Sequence, residues 1–228
     1  MQAVILAAGK GTRLRPMTYH LPKPMIKVAG KNLLEHILDK LPQEIDEVIL
    51  VINYLAEQII NHFGSEYQGK KITYIKQKKL LGSGKALFIC QPVLYERFLV
   101  IHGDNIFAQQ DIYNCLSNEC CMLTKPINGK FSGGRIKLDS QGNLKDIVEG
   151  THNRKNAMIN AGLYVLNQQI FNYDLVPIRG GKEFGLPQTI VKMSEDIPIK
   201  IETASFWLQV NNKQELDNAS YILKNSIS

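Results

Sequence analysis

No stretch of this 228-residue chain approaches the roughly 20 consecutive apolar residues that cross a bilayer. Its short apolar start, Ala3 to Gly9, has neither the basic flank nor the length of a secretory signal. The expectation is no membrane partner and a cytoplasmic location. Cysteine is scarce: Cys90, Cys115, Cys120 and Cys121 lack metal-finger spacing, one or both of the pair in the strand-like run ECCMLT are expected to face the core, and all four are expected to be reduced and structural. The five histidines also lack the spacing of a metal site, so neither a histidine-bound metal nor histidine catalysis is predicted. Internal repeats, low-complexity runs and linkers are absent, which predicts one continuous domain over 1–228. Lysine and arginine outnumber acids 27 to 21, a net charge of +6. They are spread out and not interleaved with aromatics, so nucleic acid is not an expected partner, and small polyanionic substrates account for the charge.

What is present is an alternation. Apolar runs compatible with buried strands recur at Ala3–Ala7, Val48–Ile52, Ile72–Ile75 and Phe98–Ile101, separated by amphipathic helical patterns at Asn32–Leu41, Leu55–Phe63 and Lys85–Val93. This predicts an α/β fold with a doubly wound, mostly parallel, Rossmann-like sheet. After Asn105 the pattern changes to short strands at Gly134–Leu138, Leu144–Glu149 and Met158–Leu166. These predict a smaller mixed or antiparallel extension packed on the first sheet. Short helices at Gln168–Tyr173 and Leu186–Met193, strands at Ile199–Thr203 and Phe206–Val210, and a closing helix at Lys213–Lys224 complete the chain.

The first strand runs into LAAGKGTRLRP, Leu6 to Pro16, where glycines would let backbone N–H groups approach phosphate oxygens. The dinucleotide fingerprint G-x-G-x-x-G fits Gly9 and Gly11 but meets Leu14 in place of its third glycine, and Pro16 stops an immediate helix. The Walker pattern fails at GSGKA, with Ala86 where the magnesium-binding hydroxyl belongs. What remains is a loop with Lys10, Arg13 and Arg15, followed by Lys23 between two prolines. A guanidinium fork and a rigid ammonium point charge suit phosphate.

LAAGKGTRLRPMT and PKPM closely resemble the signature of the sugar-1-phosphate nucleotidyltransferases, L-x-A-G-x-G-T-R-L-x-P-x-T followed by P-K-P. The resemblance continues along essentially the whole chain. QKKLLGSGKA is similar to the family's base-reading segment, IHGDN to its metal-binding strand end, and SGGRI, IVEG and INAGLYVL to its sugar-binding segments. FWLQVNNKQEL departs from the common W-x-D-I-G-T-P ending. It looks like the V-N-N-R segment of the branch formed by the bacterial N-acetylglucosamine-1-phosphate uridylyltransferases, as do LLGSGKA and KEFGLPQTI. The hexapeptide-repeat acetyltransferase half of such enzymes is not within these 228 residues.

The resemblance implies a nucleotide-binding part over 1–110, and a sugar-binding part with the closing helix over 111–228. Leu6, Ala8, Gly9, Gly11, Thr12, Gln77, Gly82 and Ser83 are the implied nucleotide contacts, and Gly134, Glu149 and Asn160 the sugar contacts. Arg13 and Lys23 are the implied catalytic cations, and Asp104 and Asn211 the ligands of a Mg2+ cofactor. Taken alone, Asp104 could equally be a turn residue or helix cap, Asn211 or Asn212 the cap of the last helix, and Glu149 a partner of a surface lysine. The family commonly follows that glutamate with Lys-Pro, whereas Gly150 and Thr151 follow it here; Arg154 or Lys155 are the candidate replacements. The implied substrates are a nucleoside triphosphate, UTP or dTTP, and a sugar 1-phosphate, an N-acetylhexosamine or hexose derivative, with pyrophosphate as product. The alternatives are a guanylyl- or cytidylyltransferase using mannose or heptose phosphate or phosphocholine, and a non-catalytic nucleotide-sugar-binding regulator. Oligomeric state is not implied.

Overall fold

Alternation within QAVIL sets the architecture. Ala3 and Ile5 point to one side of the strand and Val4 to the other, and all three are fully buried, so both faces must be covered. The computed structural model describes residues 1–178 and 180–225. In chain order its strands are β1 (Gln2–Leu6), β2 (Lys27–Val28), β3 (Lys31–Asn32), β4 (Glu47–Ile52), β5 (Glu66–Tyr67), β6 (Lys70–Lys76), β7 (Arg97–His102) and β8 (Asn105–Phe107). Then follow β9 (Cys121–Ser132), β10 (Arg135–Leu138), β11 (Leu144–Val148), β12 (Thr151–Asn167), β13 (Lys200–Thr203) and β14 (Trp207–Gln209). The helices are α1 (Leu33–Leu38), α2 (Ala56–Phe63), α3 (Gly82–Phe88), α4 (Gln109–Leu116), α5 (Leu186–Met193) and α6 (Lys213–Asn225).

Strands β7, β1, β4 and β6 lie side by side and parallel. Helices α1, α2 and α4 cover one face through Leu34, Ile59 and Cys115, and α3 and α5 cover the other through Leu87 and Ile190. The chain moves outward from β1 to β4 to β6 and then returns to β7 on the other side of β1. A crevice therefore opens at the carboxyl ends of β1 and β7, where open α/β sheets hold ligands. Gly103 N donates to Leu6 O at 3.0 Å and ties those two ends together.

The extension does not stack on this sheet but continues it. β12 pairs antiparallel with β7, then with β10 and along most of β9, and β13 adds to β9 in parallel. A free β7 edge would leave backbone groups unpaired, and β12 satisfies them. A third, smaller core joins Leu14, Ile26, Val28, Ile106, Val210 and Leu216, which seats the glycine-rich loop on β8 and α6.

Several elements differ from the sequence reading. α3 begins three residues before its expected start and stops at Phe88, with Gln91–Val93 forming a separate 3-10 turn around Pro92. α4 was not expected, because QQDIYNCL carries only a short apolar face at Ile112, Cys115 and Leu116. β9 runs on through Pro126, Asn128 and Gly129, a stretch to which the sequence reading assigned no element. β13 pairs only with Cys121–Thr124, so beyond it β9 has one free edge and Pro126 withholds no needed N–H. All four cysteines are free thiols and buried, as expected.

Candidate active site

The loop after β1 folds back across its own neck. Gly11 has φ +61°, and a Cβ there would lie 2.8 Å from Lys23 Cβ, so glycine admits both the left-handed turn and the lysine's approach. Thr18 Oγ1 donates to Gly11 O at 2.8 Å, and buried Leu14 anchors the turn below. Thr12 and Arg13 are exposed on the 3-10 turn Thr12–Leu14.

Lys23 joins remote parts of the chain. Its Nζ donates to Asp104 Oδ2 at 2.6 Å and to Asn211 Oδ1 at 2.7 Å. The backbone makes this meeting possible: Gln209 pairs with Asn105 in the β14–β8 ladder, and Val210 N donates to Asp104 O at 2.9 Å. Buried Asp111 on α4 steadies the entry to β14 by accepting from Ser205 N at 3.0 Å and Phe206 N at 3.1 Å. The two asparagines divide their possible roles. Asn212 Oδ1 accepts from Glu215 N at 2.9 Å, a helix-capping contact, while Asn211 faces Lys23.

Burial pushes the Asp104 carboxyl up, but the Lys23 ammonium, His102 and hydrogen bonding outweigh it and hold the group below the usual carboxylate range. Asp104 and Asn211 thus aim two hard oxygens at one cation, the Lys23 ammonium. That donor set fits a hard divalent cation which takes its other ligands from water and phosphates. Among the described residues no group of three or more His, Cys, Asp or Glu makes a closed metal cage.

Two cavities flank this point. One, of about 310 Å3, is lined by Leu6, Ala8, Gly9, Gln77, Gly82 and Ser83 together with Lys10, His102 and Asp104. Gln77 is buried, and its Nε2 donates to Gly82 O at 3.2 Å. Gly82 has φ +92°, and a Cβ would sit 2.3 Å from Phe184 O, so no other residue fits the backbone there. The second cavity, of about 240 Å3, is lined by Gly134, Glu149 and Asn160 with Asn105, Gln188 and Gln209. Ser83 and His102 line both. A cavity of about 630 Å3 between β11 and α5 holds none of the predicted residues, so size does not mark the site.

Ten of the predicted residues therefore line the paired cavities. Lys23 and Asn211 sit at their edge, joined to Asp104, while Gly11, Thr12 and Arg13 lie outside both linings. Arg154 and Lys155 line neither; they are exposed on the β9–β12 ribbon, beyond Thr151. The sequence reading missed His102, Asn105 and Gln188. His102 and Asn105 flank Gly103-Asp104, and that adjacency was the available signal; Gln188, on α5, had none. Burial lowers the His102 pKa against the opposing pull of Asp104 and Glu149.

A family model described as nucleotidyl transferase matches residues 2–223. The bifunctional protein GlmU of Methanocaldococcus jannaschii is 32% identical over 232 residues, covering 100% of this chain and 55% of its own length. The chain thus spans about half the length of that curated relative. The UTP–glucose-1-phosphate uridylyltransferase AglF of Haloferax volcanii is 32% identical over 180 residues, 75% of this chain and 74% of its own. Among solved structures, a putative glucose-1-phosphate thymidylyltransferase from Bacillus anthracis, in complex with a sucrose, superposes with a TM-score of 0.85 at 22% identity, covering 99% of this chain and 96% of its own. That likeness shows a shared fold, and the family match runs from β1 into α6: this chain belongs to the nucleotidyl transferase family.

Proposed function

We propose that the protein transfers a nucleotidyl group from a nucleoside triphosphate to a sugar 1-phosphate, releasing pyrophosphate and a nucleotide sugar. The observation that carries this reading is the pair of cavities sharing Ser83 and His102, with the Lys23, Asp104 and Asn211 cluster beside them. Two substrates bound there would meet at their phosphates. The sugar phosphate oxygen attacks the α-phosphorus, the bond from that phosphorus to the bridging oxygen breaks, and pyrophosphate departs. The nucleophile is already an anion, so no general base is required, and catalysis consists of alignment and charge stabilisation.

In this reading the loop at Leu6, Ala8, Gly9, Gly11 and Thr12 holds the nucleotide, with Gln77, Gly82 and Ser83 at the base. Arg13 meets the leaving pyrophosphate. Lys23 supplies a point charge to the α-phosphate and the incoming phosphate. Gly134, Glu149 and Asn160 hold the sugar. Magnesium, held by Asp104 and Asn211, would neutralise charge on the reacting phosphates when bound. UTP is the first choice, with dTTP next, because an amide side chain and a backbone group suit the imide edge of a pyrimidine. The name of one relative, the UTP–glucose-1-phosphate uridylyltransferase AglF, supports a uridylyl donor. An N-acetylhexosamine 1-phosphate or a hexose 1-phosphate is the acceptor. Residues 1–228 would act as one domain in the cytoplasm, 1–110 serving the nucleotide and 111–228 the sugar.

Pyrophosphate release by purified protein with magnesium, across the four ribonucleotides, dTTP and a panel of sugar 1-phosphates, tests the reading. Turnover with UTP and one sugar is expected. Preference for GTP or CTP would replace the donor, and silence with retained binding of a nucleotide sugar would favour a non-catalytic regulator.

A further inference from the structure

Lys23 has one ammonium and, in the proposed reaction, two stations. Its Nζ lies 2.6 Å from Asp104 Oδ2 and 2.7 Å from Asn211 Oδ1, whereas the reaction needs that charge on phosphate and a divalent cation on the same two oxygens. Like charges repel, so one oxygen pair cannot hold an ammonium and a metal ion together at contact distance. Among the described residues the surroundings offer no second pair. Asp104 Oδ1 accepts from Asn105 Nδ2 at 3.1 Å, the other amide atom of Asn211 is a donor, and Glu215 accepts from Asn211 N at 2.7 Å and Asn212 Nδ2 at 2.8 Å.

What can yield is the lysine stem. Lys23 stands between Pro22 and Pro24 in the 3-10 turn Lys23–Met25, closed by Met25 N donating to Pro22 O at 2.8 Å and Ile26 N to Lys23 O at 3.1 Å. Asp104 and Asn211 are equally fixed, by Val210 N on Asp104 O and by Glu215 on Asn211 N. The four-carbon stem thus joins an anchored backbone to a charge that can swing. The Asp104 side chain is 25% exposed and borders the cavity lined by Lys10, Gln77 and Gly82, so a cation or a phosphate arriving there reaches the cluster.

We infer that Lys23 and a divalent cation compete for the Asp104 and Asn211 oxygens, the lysine withholding the metal site until an arriving phosphate draws its ammonium away. The inference rests on the proposed reaction. Phosphate and metal then reinforce each other's binding through the lysine, because whatever removes the ammonium frees the oxygens, and whatever fills the oxygens frees the ammonium. No proton is transferred in the exchange.

Mn2+ titration by calorimetry, with neither nucleotide nor sugar phosphate present, tests the competition. A hydrogen bond to a charged group is worth about a factor of ten or more, so Lys23→Met, of similar length and uncharged, should bind Mn2+ on the order of 10- to 100-fold more tightly than the wild type. Turnover should fall in the same variant, a combination that loss of a merely structural contact would not give. Equal or weaker Mn2+ binding by Lys23→Met would overturn the inference, as would Mn2+ binding retained by Asp104→Ala. A second measurement needs no variant. Acylation of Lys23 by an amine-reactive ester, read by mass spectrometry, should rise severalfold at saturating Mn2+ while exposed Lys200 is unaffected. An unchanged or slower rate at Lys23 would overturn the inference too. Pyrophosphate release is read separately, so a silent enzyme whose Lys23→Met variant still gains Mn2+ affinity would lose the reaction and keep the competition.

Discussion

The cavity on the β1 and β6 side and the cavity on the β10 to β12 side treat their polar groups in opposite ways. On the first side Gln77 donates to Gly82 O, Asn53 donates to Gln77 O, and Lys23 is held by Asp104 and Asn211. On the second, Asn160 and the Gln188 amide nitrogen are paired with Tyr164 and Glu149, but Asn105 Oδ1 and Gln188 Oε1 are buried without a partner among the described residues, and His102 between the two leaves one ring nitrogen unpaired. A self-satisfied wall is pre-organised for one ligand class, whereas an unsatisfied wall draws affinity and selectivity from whatever completes it. Substitutions on the first side should therefore damage chemistry and fold together, and those on the second should change substrate choice.

The largest effect should separate two cations of the same loop. Arg13→Ala and Lys23→Ala are each expected to lower kcat on the order of 10²–10³, read by pyrophosphate release. Only Lys23→Ala should also lower the melting temperature, since it strips Asp104 of its partner while Arg13 is exposed. Near-wild-type turnover in either variant would remove that cation from the mechanism.

Gly82→Ala probes the rigidity of the first cavity. The added methyl meets a backbone oxygen and the φ of +92° is unfavourable for alanine, so urea unfolding should show a loss of about 2 kcal/mol. The nucleotide KM should rise with it while the sugar KM holds. A rise confined to the sugar KM would reverse the assignment of the two cavities.

Asp111 lines neither cavity but supports the strand that delivers Asn211. Asp111→Ala leaves two backbone N–H groups without their acceptor, and should cost about 1–2 kcal/mol in urea unfolding and weaken Mn2+ binding measured by calorimetry. Unchanged metal affinity would mean that Asn211 is placed without it.

The smallest effect lies at the opposite end of the sheet. Burial pushes the Glu47 carboxyl up, but hydrogen bonds from Gln2, Lys71 and Thr73 outweigh it and hold the group below its ordinary 4.5. A folded pKa below the unfolded one stabilises above the unfolded value, and that contribution is lost as pH falls through the folded value. From about pH 5 down to about pH 3, Glu47→Gln should flatten the decline of stability by about 0.5 kcal/mol. Activity at neutral pH should not move, and a drop there would tie this end of the sheet to the site.

The parallel strands were legible because β1, β4 and β7 are buried on both faces and read as continuous apolar runs. The Gly11 loop was legible because its backbone geometry admits few residues, and the motif records that restriction directly. Two predicted residues, Asp104 and Asn211, lie 107 positions apart, and resemblance marked both without showing how they meet. The geometry comes from the β8–β14 ladder, the Asp111 brace and the Glu215 cap. α4 and the far half of β9 were hidden, one by its short apolar face and the other by a proline that only a free edge tolerates.

The sequence alone determined the fold class and the tight glycine loop after β1, because burial on both faces and close backbone approach each exclude most residue types. Tertiary structure alone decided which asparagine turns to Lys23 and which caps α6, that His102 borders both cavities, and that the Gln188 oxygen is left without a partner. Those outcomes depend on which distant hydrogen-bonding groups arrive in the same place, and no local pattern in the chain records that.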